Sequence, residues 1–306
     1  MAKRSREFYL GNPNLPTSTA TYEYTPKMIK DLQKCANNLL FFAENFFYII
    51  DPDKGRTLIK LYKYQKEALR MMRDNRYNIL LASRQLGKTV MLTIYALWTA
   101  CFNIDQNIMI VANKESTAIE IFRRVRLAYE QLPNYIKPGV VEYGKTSMIL
   151  DNGSRIGIST TTGSAARGQA LNVLLLDELA FIEPASIMED FWRSVWPTIS
   201  RSKFSKVLIA STPNGTENLF YKLYDGSQKG ENGFASMTIP WDQVPGRDEK
   251  WKQSQIKALG SVEAFEQEFN CVVGETDISV INTDNDYTET MQIKEAYKRL
   301  ELGKVS

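Results

Sequence analysis

The chain has 306 residues, of which 43% are hydrophobic and 24% are charged, and it contains 17 glycines and 11 prolines. These are ordinary values for a soluble globular protein, and they exclude collagen-like, coiled-coil and largely disordered classes. The net charge of +3 is too small to identify a nucleic-acid binder by itself.

The N-terminal region predicts an extended arm followed by helices. Residues 1–24 are rich in Pro, Thr, Asn and Tyr and show no hydrophobic periodicity, which indicates an extended arm. Thr25 and Pro26 are typical of a helix start, and the apolar residues that follow recur at helical spacing to about Phe47. After a turn at 51–55, we expect a short strand at 58–61 and a second helix at 64–73.

From residue 78 to residue 210 the pattern alternates between strands and helices. Helices are predicted at 88–102 and 115–132, the second capped by Asn113, and Asp151, Asn152 and Gly153 predict a hairpin turn. Continuous apolar strands are typical of a sheet covered on both faces, so we expect a doubly wound α/β fold with a mainly parallel central sheet flanked by helices. The strands are predicted at 78–82, 108–112, 147–150, 155–159, 173–176 and 207–210.

The pattern changes from about Phe234. One strand is expected to residue 239, then helices at 248–258 and 261–269, and a polar tail from residue 282 with one candidate helix at 291–302. Our hypothesis for the domains is an arm (1–24), a core (61–232), a small helical lid subdomain built from 25–60 and 233–281, and a tail or linker (282–306).

The composition restricts the chemistry available. The sequence contains no histidine, which excludes Ser-His-Asp and Cys-His nucleophiles and histidine metal sites. Cys35, Cys101 and Cys271 are isolated, and we expect them to be reduced and buried. No apolar run approaches the roughly 18 residues of a membrane-spanning helix, so we expect an intracellular protein with no membrane partner.

Residues 82–89 have the pattern of a phosphate-binding loop, or P-loop. They lie between a predicted strand and a predicted helix, and Ala82 replaces the first glycine of the strict GxxxxGK[ST] motif. In such a loop the backbone N–H groups cradle phosphates, Lys88 neutralises the β- and γ-phosphate charge, and the Thr89 hydroxyl reaches Mg²⁺. We therefore expect a site for Mg²⁺ and ATP.

Two carboxylates follow the apolar strand at 173–176. Asp177 is expected to hold Mg²⁺, directly or through water, and Glu178 to orient and deprotonate the attacking water. The alternative is that the pair only caps the next helix. Both residues become more informative beside a P-loop, because phosphoryl transfer needs a metal-binding carboxylate and a water-positioning group.

Four further positions have two interpretations each. Arg84 in the loop and Arg167 in a small-residue loop compete for the charge-stabilising role, and the sequence does not decide between them. Ser211 and Thr212 follow the strand at 207–210, where a hydroxyl group senses the γ-phosphate or caps the following helix. Gln65 lies about a dozen residues before the P-loop strand, where it contacts the adenine edge or lies on a helix surface.

Together these motifs resemble the ATPase half of the large terminase subunit of tailed phages, of the T-even myovirus type. The resemblance covers about residues 25–281, and the loop Ser-Arg-Gln-Leu-Gly-Lys-Thr is rather specific to that family. The segments that carry it are 61–65, 82–89, 166–168, 174–178 and 211–215, with support from 42–46, 150–154 and 266–269.

The resemblance implies an additional-strand, catalytic-glutamate (ASCE) P-loop ATPase with a RecA/helicase-like core. It implies a ring, by resemblance a pentamer, that docks on the portal protein of a procapsid in the host cytoplasm, works with a small terminase subunit and drives double-stranded DNA inside. Gln65 becomes the adenine-side glutamine, Arg84 a cis-acting arginine, Arg167 a trans arginine finger, and Ser211 with Thr212 the coupling motif. The expected catalytic residues are Lys88, Glu178, Arg84 and Arg167, and the expected ATP-binding residues are Gln65, Ser83, Arg84, Gln85, Leu86, Gly87, Lys88 and Thr89.

Two expectations concern what differs from the family. Its members carry a C-terminal nuclease, and we expect no cleavage activity here, because Asp277, Asp284 and Asp286 lie in polar sequence without predicted strands. Two alternative functions remain at this point: a superfamily 2-like helicase or translocase, and a nucleotide-binding assembly factor without turnover.

Overall fold

Two short helices begin the part of the chain that the computed structural model describes, which comprises residues 7–160, 170–269, 277–282 and 287–292. They are α1 (Pro26–Asn37) and α2 (Leu39–Phe46). Thr25 caps α1 as predicted, because its side chain accepts a backbone N–H of the first turn. The single helix predicted from 26 to 47 is wrong: Asn38 is extended, and its side chain caps α2 in the same way.

A β-hairpin follows α2 and consists of β1 (Tyr48–Asp51) and β2 (Gly55–Leu58). Asp51 closes the predicted turn, since its carboxylate accepts the N–H groups of residues 53 and 54 at 2.9 Å. The strand predicted at 58–61 is wrong in position. Ile59 and Leu61 lie beyond β2 and are buried, so their apolar character reflects burial in the core.

Eight strands form the main sheet: β3 (Tyr77–Ala82), β4 (Asn107–Ala112), β5 (Val140–Tyr143), β6 (Ser147–Leu150), β7 (Arg155–Thr160), β8 (Val173–Asp177), β9 (Lys206–Ser211) and β10 (Ala235–Ile239). Their order is β10-β3-β9-β8-β4-β7-β6-β5. Neighbours from β10 to β7 are parallel, and β6 and β5 add antiparallel at one edge. The predicted mainly parallel sheet and the predicted hairpin, now β6 and β7, are confirmed.

Helices cover both faces of this sheet. Successive strand side chains point to opposite faces, so Leu80 joins the core under one helical layer while Ile79 and Leu81 join the core under the other. Burying each such side chain contributes about 1.5–3 kcal/mol. The cap predicted at Asn113 is wrong by one residue, because Lys114 is the extended residue before α5. The layers are α3 (Lys63–Asp74), α4 (Lys88–Phe102) and α5 (Glu115–Gln131) on one face, and α6 (Ala185–Arg201) and α7 (Leu219–Gln228) on the other.

Three buried cations tie the ends of helices to neighbouring loops. The Lys137 ammonium donates to the carbonyls of Asn14, Tyr129 and Glu130, which anchors the N-terminal arm to the end of α5. Lys206 and Arg76 do the same at the ends of α3 and α6. Burial lowers the pKa of both lysines to about 8.

The expected division at residue 233 is wrong for the strand that follows it. β10 pairs in parallel with β3 and so belongs to the main sheet. Residues 240–269, here called the lid, contain α8 (Glu249–Leu259) and α9 (Val262–Phe269). An aromatic cluster holds these two helices together: Trp241, Trp251, Phe265 and Phe269.

The N-terminal helices do not follow the expected grouping with the lid. α1 and α2 pack against α4, and α2 also packs against α3. Their apolar side chains, such as Cys35 and Phe42, lie in the same core as those of α3, α4 and α5. Residues 25–60 therefore extend the helical layer on one face of the main sheet.

A second hairpin follows the lid. It consists of β11 (Asp277–Asn282) and β12 (Tyr287–Gln292), which pair antiparallel. The expectation of polar sequence without strands is wrong here, and the helix predicted at 291–302 starts inside β12, with its remainder outside the described residues. Nowhere in the described ranges does a helix combine the length and apolarity needed to cross a membrane.

Candidate nucleotide site

The predicted motifs meet at the carboxyl ends of the parallel strands. β9 lies between β3 and β8, so the segment after β9 stands beside both the P-loop and Asp177. Ligands of open α/β sheets bind at this edge. A strand between the P-loop strand and the acidic strand is the arrangement that the ASCE class implies.

Left-handed backbone at two positions lets the P-loop turn back onto the sheet. Gln85 has a φ of 62° and Gly87 a φ of 77°. The turn places Lys88 at the start of α4, where its ammonium donates to the carbonyls of Ala82 and Ser83, each at 3.1 Å. Lys88 is buried, and the loop is therefore closed around its charge.

The Lys88 ammonium also contacts two groups from the neighbouring strands. It donates to Thr212 Oγ1 at 3.1 Å and lies 3.4 Å from Glu178 Oε1. Lysine has three N–H donors, so these contacts are ones that phosphate oxygens can take over without a change in the position of the chain. The lysine, the carboxylate and the hydroxyl predicted from three separate motifs share one site.

Thr89 and Asp177 form the second pair of the site. The Thr89 hydroxyl donates to Asp177 Oδ2 at 2.6 Å. Burial raises the pKa of Asp177 to about 6, and the hydrogen bond from Thr89 opposes this rise. Among the described residues the buried Oδ1 atom of Asp177 has no hydrogen-bond partner. An unpaired carboxylate oxygen beside a hydroxyl group is the oxygen donor set that Mg²⁺ prefers, so the residues fit the metal.

Glu178 is turned toward the segment after β9. Its backbone is left-handed, with a φ of 53°, and its N–H donates to the carbonyl of Ala210 at 2.8 Å. A left-handed non-glycine residue is uncommon and is concentrated at functional sites. Glu178 Oε2 accepts from the N–H and the hydroxyl of Thr212, each at 3.2 Å, and from the Ser211 hydroxyl at 3.4 Å. The predicted coupling residues thus hold the predicted water-activating carboxylate directly.

The start of the P-loop is bonded to the end of α9. The Arg84 N–H donates to the carbonyl of Glu268 at 3.2 Å, and the Ser83 hydroxyl donates to the carbonyl of Phe269. The Arg84 side chain pairs with the Glu268 carboxylate at 2.5 Å and lies over the Phe181 ring. The structure therefore places Arg84 against the lid, and Glu268 is a partner that its position in the sequence did not identify.

Gln65 contacts protein groups with both ends of its amide. Its oxygen accepts the N–H of Tyr62 at 3.0 Å, and its Nε2 donates to the carbonyl of Leu86 at 3.2 Å. Tyr64 also donates to that carbonyl. The side chain is buried, so the surface interpretation is wrong. The adenine contact stays a prediction, and the contact that the structure provides supports the P-loop.

Two arginines complete the comparison with the predicted site. Arg167 lies outside the described residues, so its role as a trans arginine finger stays a prediction. Arg247 was not identified from the sequence, although it donates to Gln85 Oε1 at 3.5 Å. A single arginine in a lid has no motif around it, and only its contact with the P-loop distinguishes it from surface arginines.

Comparison with known proteins identifies the family. The family model described as "Terminase large subunit, T4likevirus-type, N-terminal" matches residues 79–285, which is more than half of the chain. This chain belongs to that family. The motif-based resemblance is therefore confirmed, and the chain is homologous to the large terminase ATPase domains of phages. Neither the helicase nor the assembly-factor alternative is favoured by these matches.

Solved structures of terminases share the fold. The large terminase ATPase domain of Thermus phage P74-26 is 22% identical, with a TM-score of 0.56, over 69% of this chain and 93% of that one. The HK97 bacteriophage large terminase is 13% identical, with a TM-score of 0.64, over 87% of this chain and 70% of that one. For the large terminase of a thermophilic bacteriophage, in a complex with ADP, the values are 16% and 0.55, over 74% of this chain and 56% of that one.

Proposed function

We propose that this chain hydrolyses Mg-ATP to translocate double-stranded DNA into a procapsid through the portal. One observation carries the proposal: Lys88, Thr89, Asp177 and Glu178, from three strand ends, converge with Thr212 on one site. A charged group for the phosphates, a metal-binding pair and a water-activating carboxylate are the parts that phosphoryl transfer needs. Membership of the terminase family supports the same conclusion.

Each residue has a role that follows from its position. The P-loop N–H groups and the Lys88 ammonium bind the β- and γ-phosphates, and Lys88 then exchanges its contact with Glu178 for phosphate oxygens. Glu178 orients the attacking water and accepts its proton. Thr89 and Asp177 would hold Mg²⁺, which supplies positive charge that neutralises the phosphate oxygens when bound.

The coupling role of Ser211 and Thr212 is supported by their bonds to Glu178. Because Thr212 contacts both Lys88 and Glu178, loss of the γ-phosphate changes the partners of its hydroxyl. The segment after β9 then transmits that change to α7. Arg84 and Arg167 stay the two candidates for the charge-stabilising arginine, and Arg84 must leave Glu268 to act.

We further propose the partners that membership of this family suggests. They are double-stranded DNA, the portal protein, a small terminase subunit and further copies of this chain in a pentameric ring. The site of action is the host cytoplasm, with transient docking on the procapsid portal. Phosphate release measured with and without DNA and portal-bearing procapsids tests this part, and the absence of stimulation would contradict it.

Glu178→Gln tests the catalytic assignment. The amide keeps the shape of the side chain but cannot accept the proton of water, so turnover should fall about 10²- to 10⁴-fold while ATP binding is retained. Steady-state phosphate release and displacement of a fluorescent ATP analogue measure the two quantities. Glu120→Gln, an exposed glutamate on α5, is the matched control and should leave both unchanged.

The same assays separate the competing functions. Turnover by the wild-type chain is required, and ATP binding without any turnover would support an assembly factor. Retained hydrolysis in Glu178→Gln would contradict the role of that carboxylate. Unwinding of duplex DNA by the chain alone would instead support a helicase.

A further inference from the structure

Arg247 is a lid residue with a shielded and unpaired donor. It lies between a 3₁₀ turn at Trp241–Gln243 and α8. Its guanidinium lies 4.6 Å from the centroid of the Trp251 ring and 6.0 Å from that of Phe269. In the part of the chain that the structure describes, its buried Nη1 has no hydrogen-bond partner. A buried donor without an acceptor is costly, so the position calls for a ligand.

The guanidinium of Arg247 points to the P-loop. Its Nη2 donates to Gln85 Oε1 at 3.5 Å, and Arg247 and the phenol groups of Tyr62 and Tyr64 interact electrostatically. Burial lowers the pKa of Arg247, but an arginine stays charged in proteins. The lid therefore presents a fixed positive charge to the loop that is expected to hold the nucleotide.

The topology of the sheet decides which part of the nucleotide this charge faces. Arg247 follows β10, which lies on one side of β3, whereas Glu178 and Thr212 follow β8 and β9 on the other side. Hydrolysis of the γ-phosphate belongs to the side of the carboxylates. The side of β10 is left for the nucleoside half of the nucleotide.

Tyr62 lies on this same side of the P-loop. Its ring stacks on Tyr64, with 5.6 Å between the centroids, and the side chain is partly exposed. Tyr64 bonds to the carbonyl of Leu86 and so fixes the pair to the loop. A planar aromatic ring and a planar guanidinium are both surfaces on which a purine stacks.

We infer that Arg247 binds the nucleoside half of the bound nucleotide, by stacking on the purine and donating its free N–H to a base or ribose acceptor. This rests on the proposed function, because it requires the P-loop to bind a nucleoside triphosphate. It assigns to the lid a share in nucleotide affinity that does not involve the phosphates.

The experiment compares ATP with inorganic tripolyphosphate, which has phosphates but no nucleoside. Both, with Mg²⁺, displace a fluorescent ATP analogue from the wild-type chain and from Arg247→Gln. We expect the variant to bind ATP about tenfold more weakly, as for one lost charge-assisted hydrogen bond, and tripolyphosphate within about twofold of wild type. Arg193→Gln, an exposed arginine on α6, is the matched control and should change neither affinity.

Other results would overturn the inference. An equal loss of affinity for both ligands would mean that Arg247 acts on the phosphates or only on the fold, and unchanged ATP affinity would mean that it serves packing alone. If Arg247→Gln does not fold, Arg247→Lys carries the test: it keeps the charge and loses the planar fork, and ATP affinity equal to wild type contradicts the inference. Wild-type binding without turnover would contradict the proposed function and leave this comparison intact.

Discussion

Gly87→Ala is the substitution whose effect the structure defines most sharply. Gly87 has a φ of 77°, and a Cβ there would lie 2.7 Å from Gln65 Nε2. The substitution therefore has two costs, a left-handed backbone that alanine disfavours and a collision with a buried amide. Both act on the loop that is expected to bind phosphate.

The magnitude can be worked out from these two costs. A left-handed non-glycine residue costs about 1–2 kcal/mol. Relief of the collision displaces the Gln65 amide from Tyr62 N–H and from the Leu86 carbonyl, and each hydrogen bond contributes about 0.5–1.5 kcal/mol. The free energy of unfolding should fall by about 2–5 kcal/mol, a large share of the roughly 5–15 kcal/mol of a typical domain.

Urea unfolding of wild type and variants measures this loss, and Gly230→Ala is the matched control. Gly230 has a φ of 73° with nothing within 4 Å of the added Cβ, so it should cost only the backbone share of about 1–2 kcal/mol. Gln65→Ala combined with Gly87→Ala removes the collision. The double variant should therefore lose less than the sum of the two single losses.

The affinity for ATP should fall in Gly87→Ala and not in Gly230→Ala. Equal destabilisation by the two glycine substitutions would refute the collision with Gln65. Additive losses in the double variant would refute it independently, because the two side chains would then not interact.

Two further predictions concern the buried cations. Lys137 and Lys206 have pKa values lowered to about 8 by burial, whereas the unfolded chain has the ordinary value of 10.5, so the unfolded state binds more protons between these pH values. The free energy of unfolding should therefore rise from about pH 8 to 10.5, and this rise should shrink in Lys137→Met and Lys206→Met; urea titrations with identical slopes would contradict it. Arg76→Ala should lower the free energy of unfolding by about 2–4 kcal/mol, because the carbonyls at the end of α6 lose their donor, and an unchanged urea midpoint would show that water replaces it.

The sequence by itself determined the class of the fold and most of the chemistry of the site. Strand, loop and helix are contiguous around Lys88 and Thr89, and Asp177 and Glu178 follow directly on an apolar strand. Such signals are local, since apolar runs, glycine and the residues at a strand end act within a few positions of the chain. This is why the P-loop, the parallel sheet and the hairpin of β6 and β7 were predicted correctly.

Only the tertiary structure decided which distant groups complete the site. Arg84 meets Glu268, and Gln85 meets Arg247, because pairing of β10 with β3 brings the lid beside the P-loop. The same pairing made the predicted division at residue 233 wrong, since an apolar strand carries no mark of its neighbour in the sheet. The left-handed backbone of Glu178 likewise depends on its bond to Ala210 of another strand. Partners separated by tens to hundreds of residues are selected by packing, and packing leaves no local pattern in the sequence.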